Sequence, residues 1–166
     1  KNKKIDPSDY ENILKRFEKI KNSRGKHKIS NLRLEMQQIM QNYCPVYRSE
    51  KKMLEGKKKL QDLLKKFDVI KINDDSYIWN TEIIEALELE NLLLQSLASI
   101  ESALNRKESR GAHSRIDFKK RNDNNWLKHT MVWMSNSIKP KIRYRSVNLK
   151  TNTKEIKTIE PKARVY

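Results

Sequence analysis

Residues 80–106 read NTEIIEALELENLLLQSLASIESALNR. Asn80 stands where a helix N-cap belongs, with a side-chain oxygen that can take an orphan N–H of the first turn. Leu87, Leu89, Leu92, Leu93, Leu94, Leu97, Ile100 and Leu104 follow in a band wider than a single stripe. Glu82, Glu85, Glu88 and Glu90 lie toward the positive end of the helix dipole, and Arg106 and Lys107 toward the negative end. The pattern predicts a helix over residues 81–106, roughly 40 Å long. Its band predicts burial on more than one side, with Leu92, Leu93 and Leu97 in a core. The glutamates read as its solvated face.

Other helices flank this one. Asp6-Pro7-Ser8-Asp9 is a helix start, with Asp6 as cap, Pro7 in the first turn and Asp9 favourable to the dipole. Tyr10, Ile13, Leu14, Phe17 and Ile20 then form an apolar stripe that ends at residues 23–26. A second helix begins near Ser30, with Leu32, Met36, Ile39, Met40 and Tyr43 on one face until Pro45 interrupts. From Ser49 the pattern resumes, with Met53, Leu54, Leu60, Leu63, Leu64 and Phe67 expected inward. Residues 69–79 are short and mixed. Beyond Glu108 aliphatics thin out, and residues 109–126 read as a connection. Residues 130–134 and 142–146 alternate like strands, with residues 135–140 as a hairpin loop. Such a hairpin needs a surface to pack on. The expected fold is mainly α: an antiparallel three- to four-helix bundle in residues 1–108, then a connecting segment, a small β-hairpin and an extended C-terminal tail in 109–166.

The formal charge of +16 divides into blocks: +11 in residues 1–71, −7 in 72–105 and +12 in 106–166. A nucleic-acid reader concentrates its basic residues on one element beside stacking aromatics. Here the charge is dispersed and an acidic helix divides it. Lys outnumbers Arg 26 to 11 and Asn occurs 15 times, an excess that AT-rich codons alone can supply. The clusters Lys57-Lys58-Lys59 and Lys65-Lys66 alternate with leucines, as on the exposed side of an amphipathic helix. Only three glycines are present, so no Gly-rich phosphate loop can be built from this sequence. The apolar runs fall far short of the roughly 18 residues that span a bilayer, and the chain reads as soluble. His27, His113 and His129 lack the spacing of a helical zinc site, so no metal is expected. The single Cys44 reads as a structural thiol in a reducing compartment. Trp79, Trp126 and Trp133 read as packing anchors. The first residue is Lys1 and residues 1–6 resemble a linker, so a piece of a longer polypeptide is expected.

Glu108-Ser109-Arg110-Gly111-Ala112-His113-Ser114-Arg115-Ile116-Asp117-Phe118 stands apart from this solvated-surface reading. Two arginines, a histidine, a glycine and two carboxylates in so short a run predict a fixed network of charge-assisted hydrogen bonds. Gly111 is placed for a positive φ or a close backbone approach. The expectation is an interface across a domain boundary carried by Arg110, Gly111, His113 and Arg115.

With its neighbours this stretch is also familiar. Arg106-Lys107-Glu108-Ser109-Arg110-Gly111-Ala112-His113-Ser114-Arg115 and Arg121-Asn122-Asp123-Asn124-Asn125-Trp126-Leu127-Lys128-His129-Thr130 closely resemble the C-terminal region of the succinate dehydrogenase flavoprotein family. Asn31-Leu32-Arg33-Leu34-Glu35-Met36-Gln37, Trp79-Asn80-Thr81-Glu82 and the closing Pro161-Lys162-Ala163-Arg164-Val165-Tyr166 do so too. The Glu-Ser-Arg-Gly-x-His element is shared with fumarate reductases and L-aspartate oxidases. The resemblance implies a subunit that oxidises succinate to fumarate and passes electrons through covalent FAD to an iron–sulfur subunit and quinone. It implies as partners a flavin-binding domain of the same chain, the iron–sulfur subunit and membrane anchor subunits, at the cytoplasmic side of a bacterial inner membrane. The family's flavin-binding and catalytic residues precede this region, so no catalytic, cofactor-binding or metal residue carries over. The alternative is a free-standing basic helical module that binds nucleic acid or anionic membrane.

Overall fold

The computed structural model describes residues 6–134, 140–153, 155–159 and 162. The Asp9 side chain, most of the hairpin loop and all of the closing motif except Lys162 lie outside the described residues. Helix α1 (Pro7–Lys21) starts as its sequence dictates: Asp6 accepts from the Ser8 N–H at 2.9 Å and proline occupies the first turn. Helix α2 (Ile29–Tyr43) follows, then the two-residue strand β1 (Tyr47–Arg48) and helix α3 (Glu50–Phe67). Pro45 therefore separates two helices. Helix α4 (Thr81–Asn105) is capped by Asn80, which accepts from the Ile83 N–H at 3.0 Å. The short strand β2 (Ser114–Arg115), a single-turn helix α5 (Asp123–Trp126) and the strands β3 (Lys128–Trp133) and β4 (Lys141–Ser146) complete the order. Among the described residues no helix is long and apolar enough to cross a membrane.

The core lies between α2, α3 and α4. Leu32, Met36 and Ile39 face Met53, Leu60, Leu63 and Phe67 and the α4 row Ile83, Ala86, Leu89, Leu93, Leu97 and Ile100. Helices α2 and α3 approach closely at Gly56, where an added Cβ would sit 2.3 Å from the Tyr43 Cβ and 3.0 Å from Ile100. Burial on α4 is one broad stripe, not several sides. Leu92 is 38% exposed and leaves the expected core, whereas Leu93 and Leu97 are in it. Leu54 on α3 likewise faces solvent, because it sits one step round the helix from the buried Met53. Tyr10, Ile13 and Leu14 of the α1 stripe are exposed as well, and α1 is anchored by its last turns through Ile20 and the Arg16–Glu90 pair.

After α1 the chain runs back along residues 69–72. The Gly25 N–H donates to Ile70 O at 2.8 Å, and the Lys71 N–H donates to His27 O at 2.8 Å. This pairing buries Ile70 and Ile72, two core residues that carry no periodic signal. The β3–β4 hairpin is antiparallel, with Lys128 opposite Ser146 and Trp133 opposite Lys141. The surface it needs is the end of α4: Tyr144 hydroxyl donates to Asn105, and Met134 packs on the core. Trp126 meets Tyr144 edge to face at 6.0 Å and acts as the anchor expected of it. Trp79 does not, being 91% exposed, and Trp133 is half exposed.

Candidate functional site

The segment after α4 folds back over the end of that helix. The last carbonyls of a helix have no partner in it, and here a side chain distant in sequence supplies one. Arg115, its side chain fully buried, donates through Nη1 to Ala103 O at 2.9 Å and Leu104 O at 3.2 Å. Its other two nitrogens fork onto Asp117, Nε to Oδ1 at 2.7 Å and Nη2 to Oδ2 at 2.8 Å. Asp117 in turn accepts the Glu50 N–H at 2.8 Å, the first residue of α3, whose own cap Ser49 makes no side-chain bond. One ion pair thus joins the negative end of α4 to the positive end of α3, in the sense each dipole favours. The Arg115 fork holds the Asp117 carboxyl down to about 2, against the opposing pull of burial and with help from the Glu50 N–H.

A second centre is built on Glu108, which is completely buried. It accepts from Arg106 Nη1 at 2.5 Å, Arg110 Nε at 2.7 Å, Arg110 Nη2 at 3.1 Å and the Asn122 N–H at 2.8 Å. Burial alone would raise its pKa. The bonds from Arg110, the Asn122 N–H and Arg106 outweigh that and hold it below the ordinary carboxylate range. Arg110 also reaches Asp123, where Arg121 joins at 2.8 Å. Arg106 continues outward to the carbonyls of Trp126 and Lys128, which fastens the start of the hairpin.

His113 links this arrangement to the segment between α2 and α3. Its Nδ1 lies 3.0 Å from Arg48 Nη1 and its Nε2 lies 3.0 Å from Arg106 O. A guanidinium can only donate, so Nδ1 accepts and the proton sits on Nε2, donating to the carbonyl. This is the neutral imidazole. Burial lowers the His113 pKa, and the charges of Arg48, Arg115 and Arg106 reinforce that against the bond to Arg106 O. Arg48 and His113 are neighbours because β1 pairs with β2 in parallel, Tyr47 beside Ser114 and Arg48 beside Arg115. Arg110 and His113 close a tight turn through bonds of 2.8 and 3.0 Å. Gly111, at its first corner, has φ +56°, the left-handed conformation expected there. An added Cβ would meet nothing within 4 Å, so the conformation and not a close approach requires glycine.

The network foreseen between residues 108 and 118 therefore exists, and the four named residues divide within it. Gly111 and Ala112 form an exposed tip, and Arg110 and His113 are partly exposed at its base. Arg115 lies behind them, with its donors directed within the chain. Sequence reasoning missed Arg48 and Asp123, and read Arg106 only as a dipole partner. Arg48 is 65 positions from His113, and no local pattern points to it.

A family profile described as "Fumarate reductase flavoprotein C-term" matches residues 33–166. The chain belongs to this fumarate reductase flavoprotein C-terminal family. It is 43% identical to the succinate dehydrogenase flavoprotein subunit of Rickettsia felis over 99% of this chain and 28% of that protein. It is 33% identical to the fumarate reductase flavoprotein subunit of Haemophilus influenzae, over 93% of this chain and 24% of that protein. A chain of the E. coli quinol fumarate reductase superposes with a TM-score of 0.85 at 31% identity, covering 96% of this chain and 26% of its own. The chain thus spans about a quarter of the length of these relatives.

The family is one of flavoproteins, and the three glycines of this chain do not form the Gly-rich loop that holds a dinucleotide's phosphates. An added Cβ at Gly25 would lie 2.0 Å from Val69 O, and at Gly56 it would strike Tyr43. Gly111 turns a hairpin and opens no helix. All three glycines serve packing or turning within this flavoprotein C-terminal fold. Cys44 is half-buried, and burial pushes its thiol up against the weaker pull of Arg48, the reverse of nucleophile activation.

Proposed function

We propose that the chain is the C-terminal part of a succinate dehydrogenase flavoprotein subunit and serves there as scaffold. Oxidation of succinate to fumarate with covalent FAD, and delivery of electrons to an iron–sulfur subunit and quinone, belong to the longer subunit. FAD is then held by residues outside this chain, and no catalytic step is assigned to a residue within it. The observation that carries the choice of dehydrogenase is 43% identity to such a subunit, against 33% to a fumarate reductase subunit. In this reading the subunit sits peripherally at the cytoplasmic side of a bacterial inner membrane, beside iron–sulfur and membrane anchor subunits.

Within the subunit, the turn of Arg110, Gly111 and His113 faces the flavin-binding domain, and Arg115 holds the turn from behind. The exposed tip and the rigid base support this role. The test is the whole polypeptide that contains this chain, assayed for covalent flavin and for succinate-dependent dye reduction against fumarate reduction. Flavin with succinate oxidation dominant is expected, and the 166-residue chain alone should be flavin-free and inactive. A polypeptide without flavin overturns the reading, as does tight binding of this chain to DNA with a steep loss of affinity in salt. Arg110→Ala in the whole subunit should weaken flavin retention or complex assembly, and unchanged flavin and activity would sink the contact.

A further inference from the structure

Residues 73–79, between the buried Ile72 and the α4 cap, are all exposed, and their last three are large and apolar. Tyr77 is 81% exposed, Ile78 76% and Trp79 91%. An irregular loop so exposed would ordinarily be loose, and this one is held on every side. Glu82 accepts the N–H groups of Asn73 at 2.7 Å and Asp74 at 3.0 Å. The buried Asn80 donates to Asp74 O at 2.8 Å and Ser76 O at 3.0 Å while it caps α4. Lys21, itself buried at the end of α1, places its ammonium 3.5 Å from the centre of the Tyr77 ring. Trp79 is fixed at φ 59°, a conformation a bulky residue adopts only where its surroundings impose it.

A rigid frame that presents a tryptophan, an isoleucine and a tyrosine to water matches the anchors that dominate protein interfaces. We infer that the Tyr77-Ile78-Trp79 loop is a docking knob that enters an apolar pocket on the remaining part of the same polypeptide. This rests on the reading of the chain as the C-terminal part of a longer subunit. Two observations select that occupant over a separate protein. The chain is only 24–28% of the length of its relatives, in a family named for the C-terminal part, so most of such a polypeptide is tethered to this knob. A tethered surface meets its partner at an effective concentration in the mM range, ahead of any free protein. Apolar surface is uncovered on α1 as well, where Tyr10, Ile13 and Leu14 lie exposed on the helix whose Lys21 holds Tyr77. Asp75 beside the knob is paired with Arg24 and the Lys21 ammonium covers Tyr77, so the charges around the knob are matched within the chain and apolar contact carries the docking.

The test compares the 166-residue chain with the whole polypeptide, each as parent, Trp79→Phe, and the Ile78→Ser, Trp79→Ser double variant. Alone, the double variant should melt within about 2 °C of its parent, because the altered side chains touch little of the fold. In the whole polypeptide it should split one melting transition into two and expose the junction to protease, while Trp79→Phe behaves as the parent. The inference is overturned if the whole polypeptide ignores the double variant, or if the isolated chain loses stability equally. It is also overturned if only release of the iron–sulfur subunit responds, which would assign the knob to that partner. Flavin content in the same samples reports separately on the proposed function. Two parts that melt together without flavin reject that reading and keep the knob.

Discussion

Arg115→Ala isolates the contact on which the closing segment depends. The substitution removes a fully buried guanidinium, two bonds to the last carbonyls of α4 and a forked pair with Asp117. Breaking a buried pair from one side typically costs about 3–5 kcal/mol. Asp117 keeps 29% of its side chain in solvent and can recover hydration, which favours the lower end, about 3 kcal/mol. For a chain of this size that is a fall in Tm of about 6–12 °C. Arg115→Lys keeps the charge without the fork, and should fall between parent and alanine. Calorimetry or circular dichroism of the purified chain reads both. The pair also has a pH signature. The folded Asp117 pKa of about 2 lies below its ordinary value of 3.8, so its contribution is complete above the ordinary value. It is lost as pH falls through that interval, and amounts to about 1–2 kcal/mol after solvent screening. The stability gap between the parent and Asp117→Asn should therefore close from about pH 4 to about pH 2. An alanine variant that melts within about 2 °C of the parent, or a lysine variant that equals it, refutes the argument.

Three further outcomes are expected. Leu93→Ala should cost about 2–5 kcal/mol and Leu92→Ala under about 1 kcal/mol in urea unfolding, and equal costs would contradict the single-stripe burial of α4. Gly56→Ala gains helix propensity, yet its Cβ would strike Tyr43 at 2.3 Å, so a net loss of about 1–3 kcal/mol is expected; a stabilised variant would show that α2 and α3 separate easily. In an NMR titration His113 should lose its proton below the ordinary 6.5. Its folded pKa is depressed, so the contribution to stability is present above the ordinary value and lost as pH falls through the folded one; a titration at or above 6.5 would disprove the neutral imidazole bridge.

The helices were legible because their signals are local. Asp6, Pro7 and Asn80 announce helix starts by chemistry that acts within one turn, and the α2 and α3 stripes follow the 3.6-residue period. Leucine content misled where periodicity was saturated. In Leu92-Leu93-Leu94 every position is apolar, so the sequence cannot say which one faces inward, and only packing against α2 and α3 selects Leu93. Ile70, Ile72 and the two-residue strands β1 and β2 are set by pairing between distant segments, which leaves no period to detect. At the site, residue density between 108 and 118 signalled a network. Its connections to Arg48 and the Glu50 N–H are tertiary and were invisible.

The charge that dominates the composition sorts itself by residue type, and this bears on the competing basic-module reading. Arg106, Arg110, Arg115 and Arg121 converge on Glu108, Asp117 and Asp123, while Arg16, Arg24 and Arg33 pair with Glu90, Asp75 and Glu88. Arginine is the residue whose fork matches a phosphate, and here seven of the eleven close on carboxylates of the same chain. The surplus positive charge is carried largely by lysines on exposed positions, such as Lys51, Lys52, Lys58, Lys119 and Lys120. These are strongly hydrated point charges dispersed over several elements. A basic module would need the opposite partition, with arginines outward and aromatics between them, which is approached only locally on β3–β4, where the exposed Arg143 lies 5.8 Å from the Trp133 ring. Among the described residues the two most exposed aromatics, Tyr77 and Trp79, stand in the acidic block beside Asp74 and Asp75. The cations beside them, Lys21 on the Tyr77 ring and Arg24 on Asp75, are engaged within the chain, so the loop offers apolar surface and not a phosphate site.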